Sequence, residues 1–255
     1  MKLKIKIAIL ALCALSIGVY ALSAKPAKHS KSKKTDKAAT AAKTTNSTNI
    51  DPVENYLAAR NADDFRKMNT IKIRGRIISR TMDIPFIYYY KKPSLFRIDE
   101  SFMTVLTTRI FNGYEAKARV NGNITEIKAE DINRIIRLLD LVEGPLLNAK
   151  KNGYTYTWTD AADKPGMYKV ELTNRVGAKT YHWLDKKDFL LKYSVGTPFV
   201  PDDTTHFRVD NYKPVGKLVL PFFIEVGAPE SPQKYRIEEV EINPELNDSL
   251  FTFTK

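Results

Sequence analysis

From residue 71 onward the chain alternates apolar and polar side chains with a period of two, and the alternation restarts after most Gly, Asn or Pro clusters. Ile71, Ile73 and Ile77 alternate with Lys72, Arg74 and Arg76, the pattern of a half-buried strand with a basic outer face. Residues 86–90 are apolar on both faces, and 95–99 return after Pro93. A run at 105–111 ends at Asn112-Gly113, a strong hairpin signal. Runs at 116–120 and 124–128 are joined by Asn121-Gly122-Asn123. Seven more runs follow at 154–159, 167–174, 179–184, 189–195, 205–212, 217–226 and 234–242. This predicts a meander of antiparallel strands. In the last run Tyr235 and Ile237 are in phase, while Val240 and Ile242 are one residue out. A one-residue slip turns a strand inside out, so a β-bulge is predicted at Glu238-Glu239. Pro221 cannot donate to a ladder and predicts an edge or a bulge within its strand.

Two stretches change period. Asp51-Pro52 is an N-cap followed by proline at the first helical position. Val53, Tyr56, Leu57, Arg60, Phe65 and Met68 follow at helical spacing, which predicts a helix over 52–68. Within 129–142, Ile132, Ile135, Ile136, Leu139 and Val142 form one apolar stripe, and Asp131, Arg134, Arg137 and Asp140 face away. Gly144-Pro145 stops that helix; Leu146 and Leu147 open a second short helical piece that ends at Asn152-Gly153. A helical insertion in a β-meander has to cover something, and the open concave side of the sheet is the natural place.

The first residues are a targeting signal rather than fold. Lys2, Lys4 and Lys6 precede an apolar run at 7–19, with small residues at Ala21, Ser23 and Ala24. The run is short for a membrane span, which needs about 20 residues. Cleavage near Ser23 or Ala24 gives an exported, periplasmic protein; an uncleaved signal would leave it anchored to the inner membrane. Cys13 is the only cysteine and lies in this run, so the mature chain has no disulfide. Residues 25–50 are rich in Lys, Ala, Thr and Ser without an aromatic, and read as a disordered linker before a domain at 51–255. The linker is either a solvated spacer or a transient contact to anionic lipid heads.

Charge changes the picture once it is located. The net charge is +12, but 31 positive and 28 negative side chains lie from Asp51 onward, a net of +3. A nearly balanced domain lacks the electrostatic groove that nucleic acid requires, so no nucleic-acid partner is expected. Catalytic motifs are missing: no G-x-S-x-G, no phosphate-cradling glycine loop and no H-E-x-x-H. His29 is in the linker, and His182 and His206 lie on predicted strands without metal-type spacing. Glu238, Glu239 and Glu241 are flanked by Lys234 and Arg236, which speaks against a metal site. No cofactor is called for. Trp158, Trp183 and 13 tyrosines suit core and cross-strand pairs. What remains is a large apolar surface on a curved sheet with an apolar helix beside it, the kind of wall that ligand cavities in β-barrels use.

The turn Lys92-Pro93-Ser94-Leu95-Phe96 resembles the Lys-Arg-Pro-x-Leu-Phe turn of the LolA family, with Lys92 at the arginine position. Phe111-Asn112-Gly113 resembles that family's strand-ending Asp-Gly turn, residues 132–147 fall where it inserts its lid, and residues 248–254 resemble its closing Lys-Phe-Thr-Phe-Thr. The resemblance implies a mainly β fold, an unclosed antiparallel half-barrel of about 11 strands covered by helices. It implies a periplasmic carrier of lipoprotein acyl chains or other lipids, with an inner-membrane donor and an outer-membrane acceptor as partners, and no enzyme. The cavity and lid would be lined by Phe86, Tyr88, Tyr90, Leu95, Ile132, Ile135, Ile136, Leu139 and Trp158. In the family the arginine of the turn holds the lid closed, which makes Lys92 the candidate latch. The alternatives are a lipid or envelope sensor acting through a protein partner and, more weakly, an envelope hydrolase.

Overall fold

The computed structural model describes residues 50–79, 82–127, 143–196 and 205–253. Residues 1–49, the predicted helix over 129–142 with its whole apolar stripe, and the 197–204 connection lie outside the described residues.

Asp51 caps the first helix, α1 (Pro52–Ala59): its Oδ1 accepts from the Val53 amide at 2.9 Å and the Glu54 amide at 3.3 Å. The single helix predicted over 52–68 is two helices. Asn61 adopts φ 55° and ψ 54°, a left-handed conformation that asparagine tolerates, and the chain restarts as α2 (Ala62–Lys67). The break is fastened from the sheet: Asn61 Nδ2 and Arg60 Nε donate to the Lys217 and Val219 carbonyls, each at 2.5 Å.

Thirteen strands follow in chain order: β1 (Thr70–Ser79), β2 (Met82–Lys91), β3 (Leu95–Phe102), β4 (Val105–Phe111), β5 (Ala116–Val120), β6 (Asn123–Glu126), β7 (Thr155–Asp160), β8 (Met167–Thr173), β9 (Lys179–Asp185), β10 (Leu191–Val195), β11 (His206–Val215), β12 (Leu218–Gly227) and β13 (Gln233–Ile242). Every β-prone run pairs, even the four-residue β6, so the count exceeds the expected 11. The strands form one antiparallel sheet in the order β6-β5-β4-β3-β2-β1-β13-β12-β11-β10-β9-β8-β7. The chain thus builds outward from β1 to the β6 edge, crosses to the opposite edge at β7, and builds back until β13 closes against β1. Edges β6 and β7 stay apart in this order, and the sheet is an open half-barrel. The connection from one edge to the other is residues 127–154; its described part buries Leu146, Leu147 and Ala149 in the core. Residues 145–153 make turns instead of the second helix predicted there, and Gly153 closes the stretch at φ 71°.

The predicted bulge is present. Arg74 pairs with Glu239 and Gly75 with Ile237, leaving Glu238 as the extra residue that keeps both ends of β13 in phase. Gly75 is required there, because a Cβ would collide with the Arg236 carbonyl and meet the Phe86 ring at 2.9 Å. Pro221 sits where β12 has lost its β13 partner, since that pairing covers only Phe223–Val226. The proline therefore removes no ladder bond on that side.

The inner face of the sheet carries the core: Ile71, Ile73 and Ile77 of β1, Phe86 and Tyr88 of β2, Phe96 and Ile98 of β3, and Ile224 and Ile237 of β12 and β13. The C-terminal segment packs on the outer face of β2–β5. There Arg97 donates to the Leu250 carbonyl, Lys91 to the Leu246 carbonyl, Arg119 lies 4.2 Å from the Phe253 ring, and Phe251 in a short 3-10 helix (Asp248–Phe251) is buried.

Candidate functional site

Alternation on β2 points Phe86, Tyr88 and Tyr90 to the inner face, all three buried. Register then sets Glu100 beside Phe86, Ile98 beside Tyr88 and Phe96 beside Tyr90. On β4 the same face carries Thr107, Arg109 and Phe111. Rings run along this wall: Tyr88 stacks on Phe96 at 6.4 Å, Phe96 meets Phe111 at 6.2 Å, and Phe86 meets Tyr235 edge-on at 5.8 Å. Pairs of this kind add to area burial and fix ring orientation.

Leu95 is not on this wall. It pairs with Lys91 on the face that carries the C-terminal segment, and its neighbour Phe96 takes the inner position. A one-residue shift in where the strand begins decides the face, and the turn at Lys92-Pro93, a cis peptide, sets that start. Trp158 is on the inner face but in the other half of the sheet, opposite Val170 on the edge strand β7 and edge-on to Tyr168 at 5.5 Å. Ile132, Ile135, Ile136 and Leu139 lie outside the described residues.

Lys92 donates to the last carbonyls of α2, Phe65 O at 3.1 Å and Arg66 O at 2.7 Å. A lysine at a helix C-terminus satisfies orphan carbonyls and complements the dipole. Burial pulls the Lys92 ammonium below its ordinary value, and the Glu143 carboxylate opposes that. Glu143 is the first described residue after the 128–142 segment; burial raises its carboxyl, while Lys92 and the Asn148 amide, 2.8 Å away, pull it down. The next residue, Gly144 at φ 80°, packs so closely that a Cβ would strike the Tyr56 hydroxyl at 2.5 Å. The turn, the end of α2 and the residues returning from the connection therefore meet at Lys92.

The basic outer face of β1 is neutralised: Lys72 pairs with Glu241, Arg74 with Glu239 and Arg76 with Asp83. Three acidic residues of the last strand are thereby accounted for, since Glu238 faces Arg236 at 3.8 Å. Among the described residues no group of three His, Cys, Asp or Glu side chains is placed to hold a metal, and no helix is long and apolar enough to cross a membrane. His182 is fully buried on the inner face of β9. Its Nδ1 is 2.9 Å from Ser194 Oγ and its Nε2 is 2.8 Å from Thr180 Oγ1; burial pulls its pKa down to about 3. A sealed, neutral imidazole between two hydroxyls, without a carboxylate to orient it, has the makings of a packed core histidine rather than a nucleophile's base.

No family model matches the chain, and no curated protein matches it in sequence. The likeness is to solved structures. A LolA superfamily protein from Nitrosomonas europaea superposes with a TM-score of 0.51 at 13% identity, over 79% of this chain and 96% of the other. The chain has the LolA-like fold. A DUF1329 family protein from Desulfovibrio piger superposes with a TM-score of 0.53 at 13% identity, covering 80% and 98% of the two chains. At this identity the likeness concerns architecture, and it extends over nearly the whole length of both neighbours.

Proposed function

We propose that this protein is a periplasmic carrier that holds acyl chains of lipoproteins or other lipids against the inner face of its half-barrel and moves them towards the outer membrane. The observation that carries this reading is the wall itself. Phe86, Tyr88, Tyr90, Phe96 and Phe111 face inward on three adjacent strands of a sheet whose edges do not pair. An open sheet with an apolar concave side is built to take an apolar occupant. The LolA-like fold supports the same reading, and so do the basic start, the short apolar run and the small residues that make up an export signal. In this reading the stripe Ile132, Ile135, Ile136 and Leu139 forms a lid over the wall, Lys92 is its latch, and the basic residues 25–50 give transient contact with a membrane surface. An inner-membrane donor and an outer-membrane acceptor would be the partners. The carrier works by binding and release and performs no bond chemistry.

Native mass spectrometry of protein purified from the envelope fraction without detergent tests this directly. A co-purified lipid or acyl chain is expected, on a chain whose mass starts near Ser23 or Ala24. A mass that still includes Met1 would overturn the soluble carrier in favour of an anchored protein. For the lid, Ile136→Asp places a charge on an apolar contact; acyl displacement should fall sharply while far-UV circular dichroism stays nearly intact.

A further inference from the structure

The two edges of the sheet are unlike. Among the described residues no strand pairs beyond β6 on one side or beyond β7 on the other. An edge strand offers its outward N–H and C=O groups to any other extended chain, and proteins usually blunt it with short length, charge, proline or a bulge. β6 is blunted: it has four residues, and Glu126 puts a carboxylate at its end. β7 has none of these devices. Its six residues, Thr155-Tyr156-Thr157-Trp158-Thr159-Asp160, include no proline, glycine or lysine. Its pairing with β8 runs from Thr155 opposite Thr173 to Asp160 opposite Tyr168 without a register shift, so no bulge turns it aside. Threonine, tyrosine and tryptophan are among the residues that suit an extended strand best. Thr155, Thr157 and Thr159 are exposed, and among the described residues no backbone group outside β8 bonds to the strand. The strand's one charge, Asp160, stands at its end and pairs with Lys186 at 2.6 Å.

We propose that β7 is a self-pairing edge: two copies of this chain join through it, antiparallel about a two-fold axis at Thr157, into one continuous sheet. Residues directly opposite each other on antiparallel strands lie on the same face, so the register has to bring like faces together. With the axis at Thr157, Thr157 meets its own copy, Thr155 meets Thr159 twice, and Tyr156 meets Trp158 twice. The threonine pairs then line the outer face and the aromatic pairs the inner face, and both kinds stabilise an antiparallel ladder. No like charges meet, because Asp160 falls beyond the last of these pairs. The strand is thus complementary to itself, which is what a two-fold interface between identical surfaces requires. The pairing is independent of the carrier reading: it concerns how copies associate, whatever the inner face holds.

Sedimentation of the full mature chain over a concentration series tests the pairing. A six-residue edge makes a small interface, so a concentration-dependent monomer–dimer equilibrium in the micromolar range is expected. Thr157→Lys sets two ammonium groups against each other at the axis and should weaken the dimer by about tenfold or more. Its melt below the dimer range should match the wild type, because the position is exposed. Cysteine substitution reads the register. In a Cys13→Ala background, which has no other cysteine, Thr157→Cys faces its own copy. The Cα separation there is about 4.5–5.5 Å, within disulfide reach, so mild oxidant should link the copies. In Thr155→Cys the two sulfurs lie roughly 14 Å apart along the pair and should stay reduced. A chain that remains monomeric at the highest concentration reached overturns the proposal, even where a strand of another protein takes up the edge instead. So does a dimer that Thr157→Lys leaves intact, or cross-linking as fast in Thr155→Cys as in Thr157→Cys. Should Thr157→Lys not fold, the two cysteine variants decide.

Discussion

The two halves of the sheet present inner faces of different kinds. In the half from β7 to β12 the inner face buries Val170, Leu172, Leu184, Leu191, Leu218 and Leu220, with Phe222, Trp158 and Tyr168 beside them. Both halves share one core with Val53, Tyr56 and Phe65 of the helices. Polar anchors fasten the helices to the β7–β12 half at both ends. Asp51 accepts from the Tyr156 hydroxyl at 2.7 Å and Glu54 pairs with Lys150, while Arg60 and Asn61 hold the other end on the β11–β12 hairpin. The buried Arg60 guanidinium lies over the Phe65 ring at 4.8 Å and the Tyr212 ring at 5.7 Å. In the half from β1 to β5 the inner face carries Ile71, Ile73, Ile77 and Ile98 with the rings of Phe86, Tyr88, Tyr90, Phe96 and Phe111, and it contains a buried ion pair. The helices are fastened to the β7–β12 half, and the buried charge pair lies in the β1–β5 half. In the carrier reading proposed above, the β1–β5 half is the one offered to a ligand.

The sharpest way to break the comparison is to make one cavity in each half. Phe65→Ala removes a buried ring from α2 and should cost about 3–5 kcal/mol, read in a thermal melt. The shift in melting temperature that a saturating acyl ester produces should stay as in the wild type, because affinity is untouched. Phe86→Ala in the aromatic wall should lower both the melting temperature and the ligand-induced shift. If Phe65→Ala abolishes the ligand shift in protein that is still folded, the helix-filled half belongs to the binding surface and the division is wrong.

Acid tests the same division without mutation. His182 titrates near its ordinary 6.5 in the unfolded chain and at about 3 in the fold. Below 6.5 the unfolded state binds the proton and the folded state does not, so its contribution is fully present above 6.5 and is lost as pH falls towards 3, by roughly 1.4 kcal/mol per unit. Both tryptophans, Trp158 on β7 and Trp183 on β9, stand in this half, so their emission reports its opening. A red shift on acidification is expected, flattened in His182→Gln, which cannot take up the proton. An acid transition unchanged in His182→Gln would show that the group does not govern the stability of this half.

Lys92 joins the halves. Lys92→Ala leaves two carbonyls at the end of α2 without their donor and should cost about 1–2 kcal/mol, a drop of about 2–8 °C for a domain of this size. Lys92→Arg should recover most of it, since a guanidinium also donates to two carbonyls. If Lys92 also acts as the latch of the proposed lid, Lys92→Ala should raise the rate of acyl release by more than the stability change predicts.

Much of this architecture was legible from period alone. The alternation of Tyr235 and Ile237 against Val240 and Ile242 located the bulge, and Asp51-Pro52 located the first cap, because both depend on near neighbours. What the chain hid depends on partners far away. Asn61 breaks the predicted helix because strand carbonyls at Lys217 and Val219 wait for Asn61 and Arg60, more than 150 positions along the chain. Leu95 and Phe96 are equally apolar, and only the position of the turn decides which one faces inward. Glu100 and Arg109 looked like ordinary alternating charges; antiparallel register is what turns them towards each other on the buried face, and the sequence carries no local sign of it. Lys169 of β8 looks like part of a solvated face for the same reason, although it lies over the rings of Tyr181 and Trp183 on the neighbouring strand.

Lys169 gives the smallest and most discriminating test. The outer face of the β1 half is laced with ion pairs such as Arg74 with Glu239 at 3.5 Å, while on the outer face of the other half Lys169 lies 4.7 Å from the Tyr181 ring and 5.4 Å from the Trp183 ring. Arg74→Ala and Lys169→Ala should each cost less than about 1 kcal/mol at low salt. They should part company as salt is added. An exposed ion pair is screened within a Debye length of about 3 Å at 1 M salt, so the Arg74→Ala penalty should vanish. The Lys169 side chain also covers ring surface with its methylenes, and that contribution is not electrostatic. Its penalty should persist in 1 M salt, read as a melting-temperature difference from the wild type in the same buffer. If both penalties vanish together, the aromatic–lysine stack of β8–β10 contributes nothing beyond screened charge, and the two outer faces are alike.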